Sequence, residues 1–339
     1  LSSNDNTALH WFAVATACAT FFLIIAGGLV TSTDSGLAVP DWPLSYGQLM
    51  PPMVGGIFYE HGHRMVATFV GLLTTILAIW MWRSEERKWV RNLGWIALLA
   101  VITQGVLGGI TVLYLLPTWV STTHATLAQS FFSLTIVLAI LTSPSWKSHQ
   151  PLDYGRMKKT RLLAIAATGA VLLQLILGAL MRHSGSGLAI PDFPLSYSSW
   201  LPPTSASEIA SINEYRLIYH DLPPIELSQI WIHFAHRVGA LLVTLVIGAN
   251  VIHVLKNYKI PQMREPAIIQ GMLLLVQFLL GALTVWTSKG VQISTAHVAV
   301  GALLLGTSVA LTVYAYGWFK VHDEVRVAQK SFEPQVERA

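Results

Sequence analysis

Eight predominantly apolar stretches of about 20 residues, the length at which a helix crosses roughly 30 Å of hydrocarbon, run near 10–31, 61–82, 93–114, 119–141, 161–181, 229–255, 267–287 and 291–318. Short polar connections separate most of them, and two long ones lie near 32–60 and 182–228. The pattern predicts an all-α integral membrane protein with eight transmembrane helices. No Lys or Arg precedes the first stretch, and its counterpart lies in mid-chain, so it reads as a retained helix and not as a cleaved signal peptide.

Composition agrees. Hydrophobic residues make up 53% of the 339 and charged residues 11%, against about 25% charged in an ordinary soluble domain. The chain therefore has little polar surface to offer water. Of the 21 Lys and Arg residues, 16 fall in connections after even-numbered spans: 83–91, 147–161, 256–264 and 320–338. By the positive-inside rule these connections face the cytoplasm, with both termini inside and the two long connections outside. This makes the protein a multi-pass resident of the cell inner (cytoplasmic) membrane, in contact with lipid. The net charge of +4 reports topology and not a nucleic-acid partner. A single cysteine, Cys18 in the first span, leaves the outer loops without an intramolecular disulfide.

The chain repeats itself. "GGLVTSTDSGLAVPDWPLSYGQLMPP" from Gly27 is answered by "GALMRHSGSGLAIPDFPLSYSSWLPP" from Gly178, an offset of 151. "HRMVATFVG" at His63, "QGVLGGITV" at Gln104 and "STTHA" at Ser121 recur at His236, Gln277 and Ser294, an offset of 173. The second half thus carries 22 more residues, around 204–228 of its outer loop. Each half holds four spans, an even number, so both enter the membrane from the same side. The expectation is two tandem four-helix bundles related by a pseudo-two-fold axis along the membrane normal, with Gly105, Gly108, Gly109 and Gly281 permitting close helix approach. The divisions are 1–145 and 161–319 for the two halves, 146–160 for a cytoplasmic linker and 320–339 for a cytoplasmic tail.

The repeat isolates four histidines, His63, His124, His236 and His297, with 61 residues between the members of each pair. Each lies one to two turns inside the outer end of an even-numbered span. Buried polar groups in lipid are costly and mark function. Two imidazoles projecting inward from facing helices suit the axial positions of a haem iron, whereas zinc would need a third or fourth ligand at that depth.

Arg64 and Arg237 each follow a histidine. They suit interfacial anchoring or pairing with an acid, and equally a fork onto a haem propionate; Arg182 is a third candidate, without a basic counterpart at Thr31. Glu60 aligns with His233 and His61 with Phe234. An acid in one half only is what a division between a permanent cofactor site and a reacting site requires; the alternative is a carboxylate that pairs with Arg64. His61 and His233 receive no role.

These elements together, "EHGHR", "SGLAVPDWPL" with "SGLAIPDFPL", the four histidines and the two four-helix halves, resemble the haem A synthase family of cytochrome oxidase assembly over the chain up to about residue 318. The resemblance implies oxidation of a ring methyl of haem O to the formyl group of haem A by successive hydroxylations. It implies that His63 and His124 flank the substrate haem in the amino-terminal half, that His236 and His297 ligate a haem b cofactor in the carboxy-terminal half, and that Glu60 is the acid needed for activity. It leaves room for haem O synthase, cytochrome oxidase assembly factors and a homo-oligomer as partners. Many relatives carry a cysteine pair where Val39 and Ser45 stand, so this chain reads as a cysteine-free member. Two rivals are a di-haem b-type electron-transfer protein, against which the Glu60/His233 difference counts, and a transporter, against which the four histidines count.

Overall fold

A computed structural model of the chain describes residues 3–149, 151–152 and 157–319. The tail expected over 320–339 and part of the linker expected over 146–160 lie outside the described residues. Eight long helices correspond to the eight apolar stretches: α1 (Ser3–Ser32), α2 (Gly55–Ser84), α3 (Lys88–Leu113), α4 (Thr118–Thr142), α6 (Lys158–His183), α8 (Leu227–Asn257), α9 (Pro261–Trp286) and α10 (Val291–Gly317). All eight are long and apolar enough to cross a membrane. Among the described residues there are also two short α-helices, α5 (Pro144–Ser148) and α7 (Ala206–His220), and one 3-10 turn, Ser186–Leu188. The 22-residue insertion is therefore a helix on the outer loop, fixed at its start by a capping box between Ser205 and Glu208.

Helix is imposed by the solvent, because in lipid every backbone polar group must find its partner within the segment. Side-chain hydroxyls obey the same demand. Thr16, Thr20, Thr74 and Thr142 each donate to the carbonyl four residues earlier, so these polar residues cost the apolar spans little. In one place polar side chains are linked in series across three helices: Asn250 of α8 donates to Gln270 of α9, which donates to Ser308 of α10.

The first four long helices pack in a ring, α1 on α2, α2 on α3, α3 on α4 and α4 back on α1, and α6, α8, α9 and α10 repeat that circuit. Between the rings, α1 meets α10, α6 meets α4, and α4 meets α10. Exchanging the two halves leaves this pattern of contacts unchanged. Part of the central seam is apolar, with Ile24, Phe132 and Ala302 buried in it. Gly306 of α10 allows a close approach there, since a Cβ on it would lie 2.6 Å from Ile136 Cδ1 of α4.

At the end away from the long loops, the α2–α3 connection is tied to the bundle by Glu85. Its carboxylate accepts from Arg87 Nε and Nη2 at 2.8 and 3.0 Å and pairs with Lys147 at 3.2 Å, while Arg87 also donates to the Leu141 carbonyl. Burial would raise this carboxyl, but the side-chain and backbone hydrogen bonds of Arg87, with the charges of Arg87 and Lys147, prevail and hold its pKa at about 2. A depressed carboxyl stabilises the fold above its ordinary value of 4.5 and loses that contribution as pH falls toward 2. Glu85→Gln is accordingly expected to destabilise the protein by roughly 1–3 kcal/mol at neutral pH. Thermal unfolding of the purified protein across pH should show the difference from wild type shrinking below about pH 4.5.

Candidate functional site

The four histidines occupy equivalent places, each against a glycine of the neighbouring helix. A Cβ on Gly27 of α1 would lie 3.1 Å from Cε1 of His63 on α2, and one on Gly178 of α6 would lie 3.0 Å from Cε1 of His236 on α8. The other pair repeats this: Gly108 of α3 faces His124 of α4 at 3.4 Å, and Gly281 of α9 faces His297 of α10 at 3.3 Å. All four rings are half-buried. His63 and His124 lie within electrostatic reach of one another, as do His236 and His297. The Nδ1 atoms of His63, His124 and His297 are enclosed without a hydrogen-bond partner. Buried imidazoles are normally satisfied, so rings brought together in pairs with nitrogens unspent have the donor chemistry that would hold a haem iron. Among the described residues no group of three His, Cys, Asp or Glu side chains forms a metal cluster, so each pair offers two ligands and no more.

The halves differ in what touches the rings. In the second, the Gln174 amide nitrogen donates to the His236 carbonyl at 2.8 Å and lies 3.1 Å from the ring Nδ1. Gln277 Nε2 lies 3.4 Å from His297 Nε2. In the first, Gln104 reaches only the backbone carbonyl of His124, at 2.9 Å.

The two outer loops are built alike over these sites. Asp41 accepts the N–H groups of Tyr46 and Gly47, and Asp192 those of Tyr197 and Ser198. The same two N–H groups hold the Asp41 carboxyl below its usual pKa. The aspartates thus shape the loop from within. Tyr46 and Tyr197 donate their hydroxyls to the carbonyls of Ala38 and Ala189, and Trp42–Pro43 and Phe193–Pro194 are cis.

Arg64 and Arg237 fasten these loops to the helices. Arg64 donates to the carbonyls of Val39, Asp41 and Leu44, and Arg237 to those of Ile190, Asp192 and Leu195, the equivalent residues. Both propionate candidates therefore spend most of their donors on the loop. Arg237 Nε is enclosed without a partner. Arg182 is placed otherwise, at the seam between the halves, where Nη2 donates to Ser32 Oγ at 2.7 Å and to the Gly28 carbonyl at 3.4 Å.

Glu60 is buried, 4% exposed, with Oε1 paired to Arg64 Nη2 at 2.6 Å and Oε2 accepting the Val39 N–H at 2.8 Å. His233 receives the equivalent N–H, that of Ile190, on its Nδ1 at 3.3 Å. Acid and imidazole thus share one structural task and differ in charge. His61 is also buried, with Nδ1 2.8 Å from Ser45 Oγ and Nε2 enclosed without a partner. Val39 and Ser45 are fully buried, so this part of the loop is held by hydrogen bonds to Glu60, His61 and Arg64.

Sequence reasoning overlooked Gly27, Gly178 and Gln174. The two glycines were recoverable, being identical in the two copies of the repeat. Trp42 of the first loop rests on Gly109 of α3, where a Cβ would come 2.6 Å from its ring. Its counterpart Phe193 packs edge-on against Phe278 and Trp286 of α9, and Ala282 stands where Gly109 does.

Residues 10–55 and 53–309 match the family described as cytochrome oxidase assembly protein. The chain is 28% identical over 309 residues to the heme A synthase of Geobacillus kaustophilus, covering 88% of each. It is 28% identical over 305 residues to that of Lysinibacillus sphaericus, covering 89% of this chain and 93% of the relative. The heme A synthase of Geobacillus thermodenitrificans is 27% identical over 306 residues, with 88% of each covered.

Valine at Gly27, Gly108, Gly178 or Gly281 is expected to displace the facing imidazole and weaken haem retention by about 10-fold or more. Gly71→Val and Gly169→Val, at positions with open space around the missing Cβ, should leave it unchanged. Haem content per protein after purification, with helicity checked by circular dichroism, decides the matter.

Proposed function

The chain belongs to the cytochrome oxidase assembly protein family, and from that premise we propose that it is a haem A synthase, an oxidoreductase that converts the ring methyl of haem O to the formyl of haem A. The observation that carries the reading is the paired set of glycine-seated imidazoles, two per half, at equivalent places on α2 and α4 and on α8 and α10. His63 and His124 hold the substrate haem, and His236 and His297 a resident haem b. The haem b supplies one-electron chemistry. The two halves act as tandem bundles about a pseudo-two-fold axis along the membrane normal, which the exchange-invariant helix contacts support.

This chain's own residues perform the remaining tasks. The loops pinned by Arg64 and Arg237 cover the outer ends of the helices and limit the access of water to the histidines. Arg182, whose guanidinium is not committed to a loop, is the cation best placed to meet a haem carboxylate near the seam; Arg64 and Arg237 offer only the donors left over from the loops. Glu60 stands three residues before His63 and holds negative charge at Oε1 and Oε2, where it stabilises positive charge developing on the substrate or receives a proton. His233 in the same place cannot supply that charge, a difference that supports placing the chemistry in the first half.

We place the protein in the cytoplasmic membrane with both termini inside, a reading that the distribution of Lys and Arg supports. Alkaline phosphatase fused within 47–52 or 198–204 should be active, and fused at residue 145 inactive. The opposite result reverses the orientation.

Co-expression with a haem O synthase, followed by extraction and chromatography of the haems, tests the activity. Haem A is expected with the wild type. A folded, haem-loaded protein that yields none would sink the reading, leaving an electron carrier. Glu60→Gln retains an oxygen for the Val39 N–H but removes the charge. It is expected to lower haem A formation by about 100-fold with haem content unchanged; wild-type yield would reduce Glu60 to a loop anchor.

A further inference from the structure

The two halves seat their histidines alike, each against a glycine of the adjoining helix, yet a cofactor must stay and a product must leave. Three correlated differences accompany this divergence. Gln174 of α6 stands where α1 has Leu23, and Gly239 of α8 stands where α2 has Val66. The pair depends on itself, since a Cβ on Gly239 would lie 2.1 Å from Gln174 Oε1; only a glycine leaves the slot that this amide fills. Leu23 and Val66 instead pack together with the apolar core of the first half.

The second pair of helices carries the same device in another form. Gln104 and Gln277 are equivalent, but Gly301 of α10 stands where α4 has Ala128. A Cβ on Gly301 would lie 3.2 Å from Gln277 Nε2. With that space free, Gln277 lies against the ring of His297, whereas Gln104 donates to the His124 backbone.

Resting on the reading of the second half as a haem b site, we infer that Gln174 and Gln277, seated in the slots left by Gly239 and Gly301, are positioning residues that lock the His236 and His297 imidazoles and make this half retain its haem. Each amide touches an imidazole that already has a glycine against Cε1, so the ring is confined from two directions. Neither His63 nor His124 has a glutamine amide against its ring, because Leu23 stands in place of Gln174 and the Gln104 amide donates to the His124 carbonyl. Lacking that contact, the rings of the first half are less confined, as a site that must release its product requires. The glutamines act through the histidines by filling the space beside each ring, Gln174 being held there by its hydrogen bond to the His236 carbonyl.

The test transplants one half's residues into the other. Gln174→Leu combined with Gly239→Val reproduces the Leu23/Val66 pair, which this fold already accommodates. In the purified, haem-loaded protein, transfer of haem b to excess apomyoglobin should become about 10- to 100-fold faster, and the low-spin ferric signal of haem b should shift or broaden in electron paramagnetic resonance. Wild-type transfer and an unchanged signal would overturn the inference while leaving the haem A synthase reading intact. A wild-type protein that carries no b-type haem would remove that reading and the inference with it. Should the double variant not be isolable, the reverse exchange decides: Leu23→Gln with Val66→Gly is expected to increase the substrate haem co-purifying with the first half. No increase counts against a locking role.

Discussion

The contact between an imidazole and a glycine on the adjoining helix is the constraint around which this protein is built. It occurs four times, between α1 and α2, α3 and α4, α6 and α8, and α9 and α10. Without a hydrophobic driving force between helices in lipid, close approach depends on small residues, and here the space that a missing side chain creates is occupied by a ring with nitrogens to spare. It joins the helices of each bundle in two pairs, and the packing of α2 on α3 and α4 on α1, repeated by α8 on α9 and α10 on α6, closes each bundle into a ring. The outer loops then have a defined floor, onto which Arg64 and Arg237 draw the same three carbonyls.

Duplication makes the remaining differences readable, since a position free of special duty drifts while its neighbours compensate. Trp42 over Gly109 and Phe193 beside Ala282 are such a compensation: the larger ring has the residue without a Cβ beneath it. Leu23 with Val66 and Gln174 with Gly239 are coupled in the same steric sense, but the exchange replaces an apolar contact by an amide against a histidine. Volume alone explains the first pair. It does not explain placing a polar side chain at membrane depth, where leaving Gln174 Oε1 without a partner carries a cost, and so that pair points to function.

Much of this was legible in the sequence because lipid simplifies the code. Eight apolar stretches correspond to eight helices, although α1, α2, α3 and α9 begin at Ser3, Gly55, Lys88 and Pro261, ahead of the expected 10, 61, 93 and 267, and the repeat alone singles out the four histidines. The insertion near 204–228 was legible as extra length but not as helix α7, since an outer loop outside the lipid is under no hydrogen-bonding compulsion and Ser205 with Glu208 is a short signal. The roles of Arg64 and Arg237 were not legible: a guanidinium suits a propionate and a carbonyl cluster equally, and only the folded loop supplies three carbonyls at once. The pairing of Glu60 with Arg64 was visible as i,i+4 spacing. That the same carboxylate also takes the Val39 N–H depends on a contact 21 residues away.

Glu60 and His233 bring these strands together. Each accepts one backbone N–H from its loop, so either residue anchors that loop and loop stability alone does not select between them. They differ by one unit of charge beneath otherwise equivalent arginines. In the first half the buried carboxylate compensates Arg64 at 2.6 Å; in the second, Arg237 has no such partner on its own helix and lies over the ring of Phe193 instead. A buried charge without its partner is expensive, and Arg237 finds its partner in the loop, where the charge of Asp192 acts on it. Both arginines are thus compensated, one by an acid on its own helix and one by an acid in its loop. Exchanging Glu60 for His233 therefore removes the acid beside the histidine without leaving a bare cation, and on our inference the distinction between retention and release lies in the amides packed against His236 and His297.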